Sequence, residues 1–434
     1  MKLRILLINP WIYDFAAYNM WAKPLGLIRV MQYLSQFHVN SQLIDCTDAY
    51  TPERFSAGRY LSTPVPKPPV LSHVPRQYRR YGKPVDEVRY AIRSFGRADI
   101  VCIGSMMSYW YPGIQHAVSL IRETLGDVPI ILGGVYASLY RDHAAAVSGA
   151  DAVYAGSIDD SFLHLLGTFG FRLKRRPRSA PPAGTYTGHG SRVAPILAST
   201  GCPYRCTYCA SSLLASHWRQ RAPEDVADEI CALAEAGVRD FAFYDDALLV
   251  NPEEMIKPLL RTLLERGISA SFHTPNGLHA RFFDYELSVL MHAAGFATIR
   301  LSLETADAVR QQETGGKVSS GDLKRAVTSL LQAGFAPSRL GVYLMYGLPG
   351  QSLEEVNESV EFVRSLGVRI CLTEFSPVRG TAAWEVLLNS GVIADDIDPL
   401  LTNNSLFAEL FCGYDIQELR ALRLSVKRHN ERLA

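Results

Sequence analysis

The chain of 434 residues, 48% hydrophobic and 20% charged with a formal net charge of +1, is longer than one core usually supports and is expected to form two or three domains. Its balanced charge gives no electrostatic case for nucleic acid, and neither a helix-turn-helix nor an aromatic and basic RNA motif is present. No apolar run reaches the roughly 18 residues of a membrane helix, and Pro10 interrupts MKLRILLINP too early for a signal peptide, so a cytoplasmic protein without a membrane span is expected.

Up to Phe169 the sequence alternates strands and helices. RILLINP (4–10) is a branched apolar run, followed after a loop by the amphipathic stretch PLGLIRVMQYLSQF, and SQLIDC (41–46) reads as the second strand. ADIVCIGS (98–105), VPIILGG (128–134) and ADAVYAG (150–156) are further strands, with the helix IQHAVSLIRETL between the first two. This alternation predicts a doubly wound, Rossmann-like parallel sheet over residues 1–169, covered on both faces. Residues 47–95, rich in Pro, Tyr and Arg, interrupt it and are expected to form an ordered excursion rather than a strand pair.

Residues 170–194 combine basic residues, prolines and glycines with little apolar periodicity, and a linker is placed there. Over 195–390 a unit recurs: an amphipathic helix, a glycine able to end it in left-handed conformation, then a strand. The glycines are Gly237, Gly267, Gly295, Gly334 and Gly367; with APILAST before the first unit they give six strands and predict a partial (β/α)6 barrel. Ser352 with Glu355 fits a capping box, Asn251 precedes Pro252 at a first helical position, Pro223 opens PEDVADEICALAEAG, and Pro258 is expected to kink its helix. A helical carboxyl-terminal extension, 391–434, carries LFAELF and IQELRALRLSVKRHNERLA.

Chemistry concentrates in the loop after the first barrel strand. STGCPYRCTYCASS places Cys202, Cys206 and Cys209 three and then two residues apart, among polar and aromatic residues. Zinc needs a second CxxC pair or histidines, and neither follows. A four-iron cluster held by three thiolates keeps one iron open for a substrate. The other five cysteines sit singly among apolar residues and read as small hydrophobes. No nucleophile elbow and no HExxH pair occurs; His217, His273 and His279 are noted only as site-lining candidates.

CxxxCxxC after the first strand of a six-unit barrel resembles the radical S-adenosylmethionine enzymes, and the amino-terminal domain resembles that of the subgroup with a cobalamin-binding-type domain. The resemblance implies a [4Fe-4S] cluster on the three cysteines and S-adenosylmethionine bound to its open iron. Homolytic cleavage would then give a 5′-deoxyadenosyl radical, with electrons from an external donor such as a flavodoxin or ferredoxin. Carried over residue by residue, Tyr208 takes the aromatic position near adenine, or simply packs in the loop. Asp245 and Asp246 take the place of the methionine-amino contact, FYDDAL replacing the commoner GGE, or one of them caps a helix. Asn276 in HTPNGLHA would reach cofactor or substrate, or form an Asn-Gly turn.

Ser302 and Glu304 alternate with Leu301 and Leu303, so they share one face of the fourth strand. A buried Glu304 needs a partner, which ribose hydroxyls would supply in the family pattern. Lys317 is matched to the methionine carboxylate, with a solvated loop lysine as the stronger alternative. In MYGLPGQS, Gly347 and Gly350 permit backbone approach to adenine or merely form a turn, and Arg379 in FSPVRGT is a candidate for binding substrate.

In the first domain the loop NPWIYDFAAYNMWAKPLG lacks the histidine of the family's DxHxxG, so cobalamin would bind without a histidine ligand from that motif. Ser105, Tyr109, Trp110, Gly133 and Gly134 lie at the switch-point edges where such a cofactor would sit, or pack the domain. The resemblance implies cobalamin-dependent methylation of an unactivated carbon in a small molecule. The runners-up are a non-methylating radical cyclase or rearrangement enzyme, and a non-catalytic iron-sulfur or cobalamin-binding sensor.

Overall fold

A computed structural model describes residues 2–53, 56–176 and 192–433. It divides into two compact units, Met1–Tyr186 with Asp398–Leu401, and Thr187–Ile397 with Thr402–Ala434.

The first unit is built on five strands: β1 (Leu3–Asn9), β2 (Val39–Asp45), β3 (Ile100–Ile103), β4 (Ile130–Gly133) and β5 (Ala152–Tyr154). All pair in parallel in the order β2-β1-β3-β4-β5, which reverses direction between β1 and β3. Ile5, Leu6, Leu7 and Ile8 are all buried, as a strand covered on both faces requires. Ile5 and Leu7 pack with Leu27, Val30 and Leu34 of α1 (Leu25–Leu34) on one face. Helices α2 (Val85–Phe95) and α3 (Tyr111–Leu125) and, before the linker, α4 (Asp160–Thr168) complete the layers.

The excursion over 47–95 differs from expectation. It does contain strand pairs, Tyr50–Glu53 with Ser56–Tyr60 and Ser62–Pro64 with Arg79–Tyr81, and Ser56–Tyr60 and Arg79–Tyr81 pair in turn with Tyr18–Asn19 and Ile12–Asp14 of the loop after β1. Pro64 is tolerated because it ends a strand at the edge of a three-stranded sheet. Of the linker, Lys174 and Arg176 lie against the first unit, Lys174 O accepting from His38 N at 3.0 Å and Arg176 N donating to Gln36 O at 2.8 Å; residues 177–191 are outside the described residues.

The second unit repeats strand and helix: β6 (Val193–Ile196), α5 (Pro223–Glu235), β7 (Asp240–Phe243), α6 (Ile256–Glu265), β8 (Ser271–His273), α7 (Tyr285–Ala294), β9 (Phe296–Glu304), α8 (Ser320–Gln332), β10 (Leu340–Tyr346), α9 (Leu353–Ser365) and β11 (Arg369–Glu374). The six strands pair in parallel in chain order, the partial barrel expected, with the short Leu278–His279 also pairing β9. All five predicted glycines have positive φ, and Gly295 caps α7 in the left-handed conformation. Leu, Val, Ile and Phe side chains on the outer faces of the strands meet Val226, Ile230 and Leu233 of α5 and their equivalents in one core. Each large side chain fully buried there contributes about 1.5–3 kcal/mol.

Three local expectations need correction. Asn251 does not lead directly into a helix: it has φ 52, and α6 starts only at Ile256. Pro258 then falls in the first turn, where its N–H would have had no helical partner, so there is no reason for a kink. Ser352 does cap α9 by accepting from Glu355 N, but the Glu355 carboxylate binds Arg310 instead of closing the box. The extension is helical over Phe407–Phe411 and α10 (Ile416–Arg432). Leu419, Leu422 and Val426 join the core, and Asn430 bonds both N and O of Ile370 on the edge strand β11.

Candidate radical site

The cysteine loop is closed at its neck by antiparallel pairing of Ser199–Thr200 with Arg219–Gln220. Within it Cys209 N donates to Cys206 O at 3.0 Å. Thr207 is clamped on two sides, its N donating to Thr314 O at 3.3 Å and its O accepting from Ala383 N at 2.9 Å. Gly315 must be glycine here: φ is 118 and a Cβ would lie 3.1 Å from Cys206 Cα. Cys202, Cys206 and Cys209 are free thiols, each partly exposed. Burial pushes the Cys202 thiol up to about 11, with Cys206, Cys209 and Asp246 adding to the shift, so the three sulfurs feel one another's charge. A bound cation relieves such repulsion and favours thiolate.

Around this loop stand several of the other predicted residues. Lys317 is not a solvated loop lysine: its Nζ donates to Glu304 Oε1 at 2.7 Å and lies 5.5 Å from the Tyr208 ring centroid. Burial lowers its pKa, but Glu304, Tyr208 and Cys206 outweigh this and hold the ammonium well above the ordinary lysine value. Burial and the Glu304 charge push the Tyr208 hydroxyl up. Glu304, at the end of β9, has φ 71 beside a register shift against β10.

The two aspartates have different situations. Asp245 is buried and accepts from Ala198 N, Ser199 N and Ser199 Oγ, which fastens the end of β7 to the neck of the loop. Burial pushes its carboxyl up to about 6 against those bonds. Asp246 is exposed and close enough to Cys202 to raise its pKa; burial pushes its own carboxyl up, against a hydrogen bond from the Ser211 side chain. Asn276 Nδ2 donates to Tyr244 O at 2.9 Å and Asp245 O at 3.3 Å, so the amide ties two strand ends together. Gly277 sits over buried Ser302, whose hydroxyl a Cβ would overlap.

Gly347 has φ 88, yet the approach it permits is to the carboxyl-terminal segment: its Cβ would lie 3.0 Å from Ala408 Cβ, and its N donates to Tyr414 Oη at 3.1 Å. Gly350, at φ 70, faces open space. Arg379 is committed to Asp395, donating to its O and Oδ1 at 2.8 Å each. Among the noted histidines, His217 is exposed, and His273 lies 3.1 Å from Thr298 Oγ1 and 3.3 Å from Asp240 Oδ1. His279 is buried against Tyr204 of the cysteine loop, ring centroids 4.9 Å apart, with Nδ1 unpartnered. Burial, Lys317 and Arg281 lower its pKa to about 3, so the ring is neutral. Three free thiols on a clamped loop, with an orphaned buried nitrogen beside it, fit a thiolate-bound cluster. Arg300, buried two residues before Ser302 on the same face, was missed, although the period-two pattern that selected Ser302 includes it.

In the first unit, Ser105 Oγ donates to Gly133 O at 2.7 Å, and its backbone occupies the space a Cβ on Gly134 would need. Met106 and Met107 beside it are exposed, leaving apolar surface at the edge where strand order reverses. Such a surface fits the flat face of a corrinoid. Tyr109 is buried edge-on to Trp110, and Trp110 donates from Nε1 to Asp14 Oδ2 at 2.7 Å and packs on Ile12, Tyr60 and Tyr81, so Trp110 supports the excursion. His116 of α3 reaches the loop after β1, stacking on Trp11 at 4.6 Å and lying 2.8 Å from Tyr13 Oη.

Residues 196–363 match the family model of the radical SAM superfamily. An uncharacterized methyltransferase of Pyrococcus horikoshii is 25% identical over 215 residues, 49% of this chain and 46% of that protein, so the match spans about half the length of that relative. Cytidylyl-2-hydroxyethylphosphonate methyltransferase of Streptomyces wedmorensis is 23% identical over 90% of this chain and 82% of its own. The radical S-adenosylmethionine methyltransferase TsrM of Kitasatospora setae, solved with cobalamin and a [4Fe-4S] cluster, superposes with a TM-score of 0.66 at 16% identity, over 90% of this chain and 78% of that one; this shows the fold. Among the described residues no helix is long and apolar enough to cross a membrane. Over residues 196–363, which hold the three cysteines, the chain is similar to the radical S-adenosylmethionine superfamily, and over 90% of its length it shares the fold of TsrM.

Proposed function

We propose that this enzyme methylates an unactivated carbon of a small molecule, with Cys202, Cys206 and Cys209 holding a [4Fe-4S] cluster and the first unit holding cobalamin. The observation that carries the reading is the clamped loop of three free thiols with the Lys317–Glu304 pair and Tyr208 against it. When bound and reduced, the cluster supplies the electron that breaks the sulfur to C5′ bond of S-adenosylmethionine; cobalamin supplies a methyl carrier.

The chain's own residues then bind and orient. Asp246 offers an exposed carboxylate to the methionine ammonium, and Lys317 a cation to its carboxylate. Ser302 and Glu304 offer oxygens to ribose, and Tyr208 an aromatic face to adenine. Asn276 and Gly347 support this site, one by joining strand ends and the other by seating the carboxyl-terminal segment. Ser105, Gly133 and Gly134 shape the proposed cobalamin edge, and exposed Met106 and Met107 supply apolar contact.

Anaerobic reconstitution with iron and sulfide, then S-adenosylmethionine and dithionite, tests the first half. The intact chain is expected to yield 5′-deoxyadenosine and Cys206→Ala none; absence of product from the intact chain overturns the enzyme reading. Retention of hydroxocobalamin through gel filtration tests the second half, and failure to retain it under saturating conditions removes this route of methylation.

A further inference from the structure

On β9, Ile299, Leu301 and Leu303 enter the core beneath the helices, so Thr298, Arg300, Ser302 and Glu304 face the inside of the barrel. Arg300 is 4% exposed. Its guanidinium meets only neutral partners: Nη1 donates to the adjacent Ile299 O at 3.3 Å, and the side chain hydrogen-bonds the Tyr343 hydroxyl. Among the described residues no carboxylate pairs with it, and the nearby acid on its own strand, Glu304, is taken by Lys317.

The surroundings make room for the guanidinium. A Cβ on Gly341 would lie 3.0 Å from both Cδ and Nη1 of Arg300 and 2.9 Å from Cys371 Sγ, so glycine at this point of β10 is what lets the side chain lie across the strand. Tyr343 is a second polar neighbour: burial and Cys371 push its hydroxyl up, and the Arg300 charge opposes them. A cation removed from water without a counter-charge costs several kcal/mol, and folding alone would be served better by an apolar side chain. An arginine fork matches the geometry of an oxyanion.

We propose that Arg300 is the anion-recognition residue of the substrate site, taking a carboxylate or phosphonate of the substrate into the space enclosed by the six strands. The assignment rests on reading this unit as a small-molecule enzyme, but its test needs neither cluster nor S-adenosylmethionine. A failure to cleave S-adenosylmethionine is thereby distinguishable from a failure to bind an anion.

The full chain is titrated with acetate, inorganic phosphate or methylphosphonate at constant ionic strength against chloride, and thermal midpoint and apparent affinity are read. At least one oxyanion is expected to raise the midpoint, acetate alone indicating a carboxylate site and phosphate or methylphosphonate a tetrahedral one. Arg300→Gln is expected to weaken that anion by roughly tenfold or more, the loss of a charged hydrogen bond. In anion-free buffer it is expected to unfold at or above the wild-type temperature, because a buried uncompensated charge is gone. Arg300→Lys keeps part of the response, and Arg379→Gln, which removes an equal charge from a surface pair, keeps all of it. The proposal is overturned if no oxyanion shifts the wild type, if Arg300→Gln responds like wild type, or if the response goes with Arg379.

Discussion

Lys317→Met, Glu304→Gln and the double variant separate what this pair does for stability from what it does for the reaction. The pair is short, at 2.7 Å, with side chains 15% and 11% exposed, so little water screens it. Removing one partner leaves a buried charge and is expected to cost ~3–5 kcal/mol. The double variant leaves none and is expected to recover much of that loss, giving a coupling energy of ~1–3 kcal/mol. Two units make global unfolding a poor measure, so the assay is native-state hydrogen exchange of peptides covering 296–304 and 340–346, which reports local opening. Single costs below ~1 kcal/mol that simply add would show a solvent-screened pair and refute the reasoning. If the double variant recovers 5′-deoxyadenosine production along with stability, the pair is scaffold and its ligand-binding role falls.

His279 supplies a pH dependence of definite sign. Its folded pKa is depressed to about 3 from 6.5, so its contribution to stability is fully present above pH 6.5 and is lost as pH falls toward 3. The loss amounts to ~1.4 kcal/mol per pH unit, or ~2 kcal/mol at pH 5. His279→Phe is expected to flatten that slope in hydrogen exchange of the second unit between pH 7 and pH 5, and an unchanged slope would show that other groups carry it. Gly277→Ala is expected to destabilise by ~1–3 kcal/mol, because its Cβ overlaps the Ser302 hydroxyl. Ser302→Ala is expected to restore part of that in hydrogen exchange of the peptide covering 296–304; no rescue would place the clash elsewhere.

Much of the barrel was legible because each repeat carries local punctuation. A glycine of positive φ ends each of five helices, and the apolar run after it becomes a strand within a few residues of the expected place. The small antiparallel sheets of the first unit were not legible. Ser56–Tyr60 and Arg79–Tyr81 find partners more than thirty residues away, in a loop that shows no alternating pattern of its own. Turn chemistry misled at Asn251 and Pro258, because four residues of non-helical backbone separate Asn251 from α6. At the site, spacing alone selected the three cysteines. The state of Lys317 was out of reach, because its partner at Glu304 depends on how the loop after β9 folds back.

The backbone at Glu304 gives a separate argument that this carboxylate is there for chemistry. Among the described residues only Trp21, Asn251 and Glu304 adopt positive φ without being glycine. Asparagine is at ease in that region; glutamate has no such excuse, and holding it there costs on the order of 1–3 kcal/mol. A glycine at the same position would relieve the backbone and an apolar residue would remove the need for Lys317, so folding alone does not select glutamate. The register shift between Ser302 and Glu304 has a further consequence: it breaks the regular alternation at the last residue of β9, where a straight strand would continue its pleat. Strain of this kind persists where the surrounding structure fixes it, and here Lys317 does so from a loop that also touches Cys206 through Gly315. The carboxylate, the ammonium and the cysteine loop are therefore one mechanical assembly, and a change in any of them is expected to be felt at the other two.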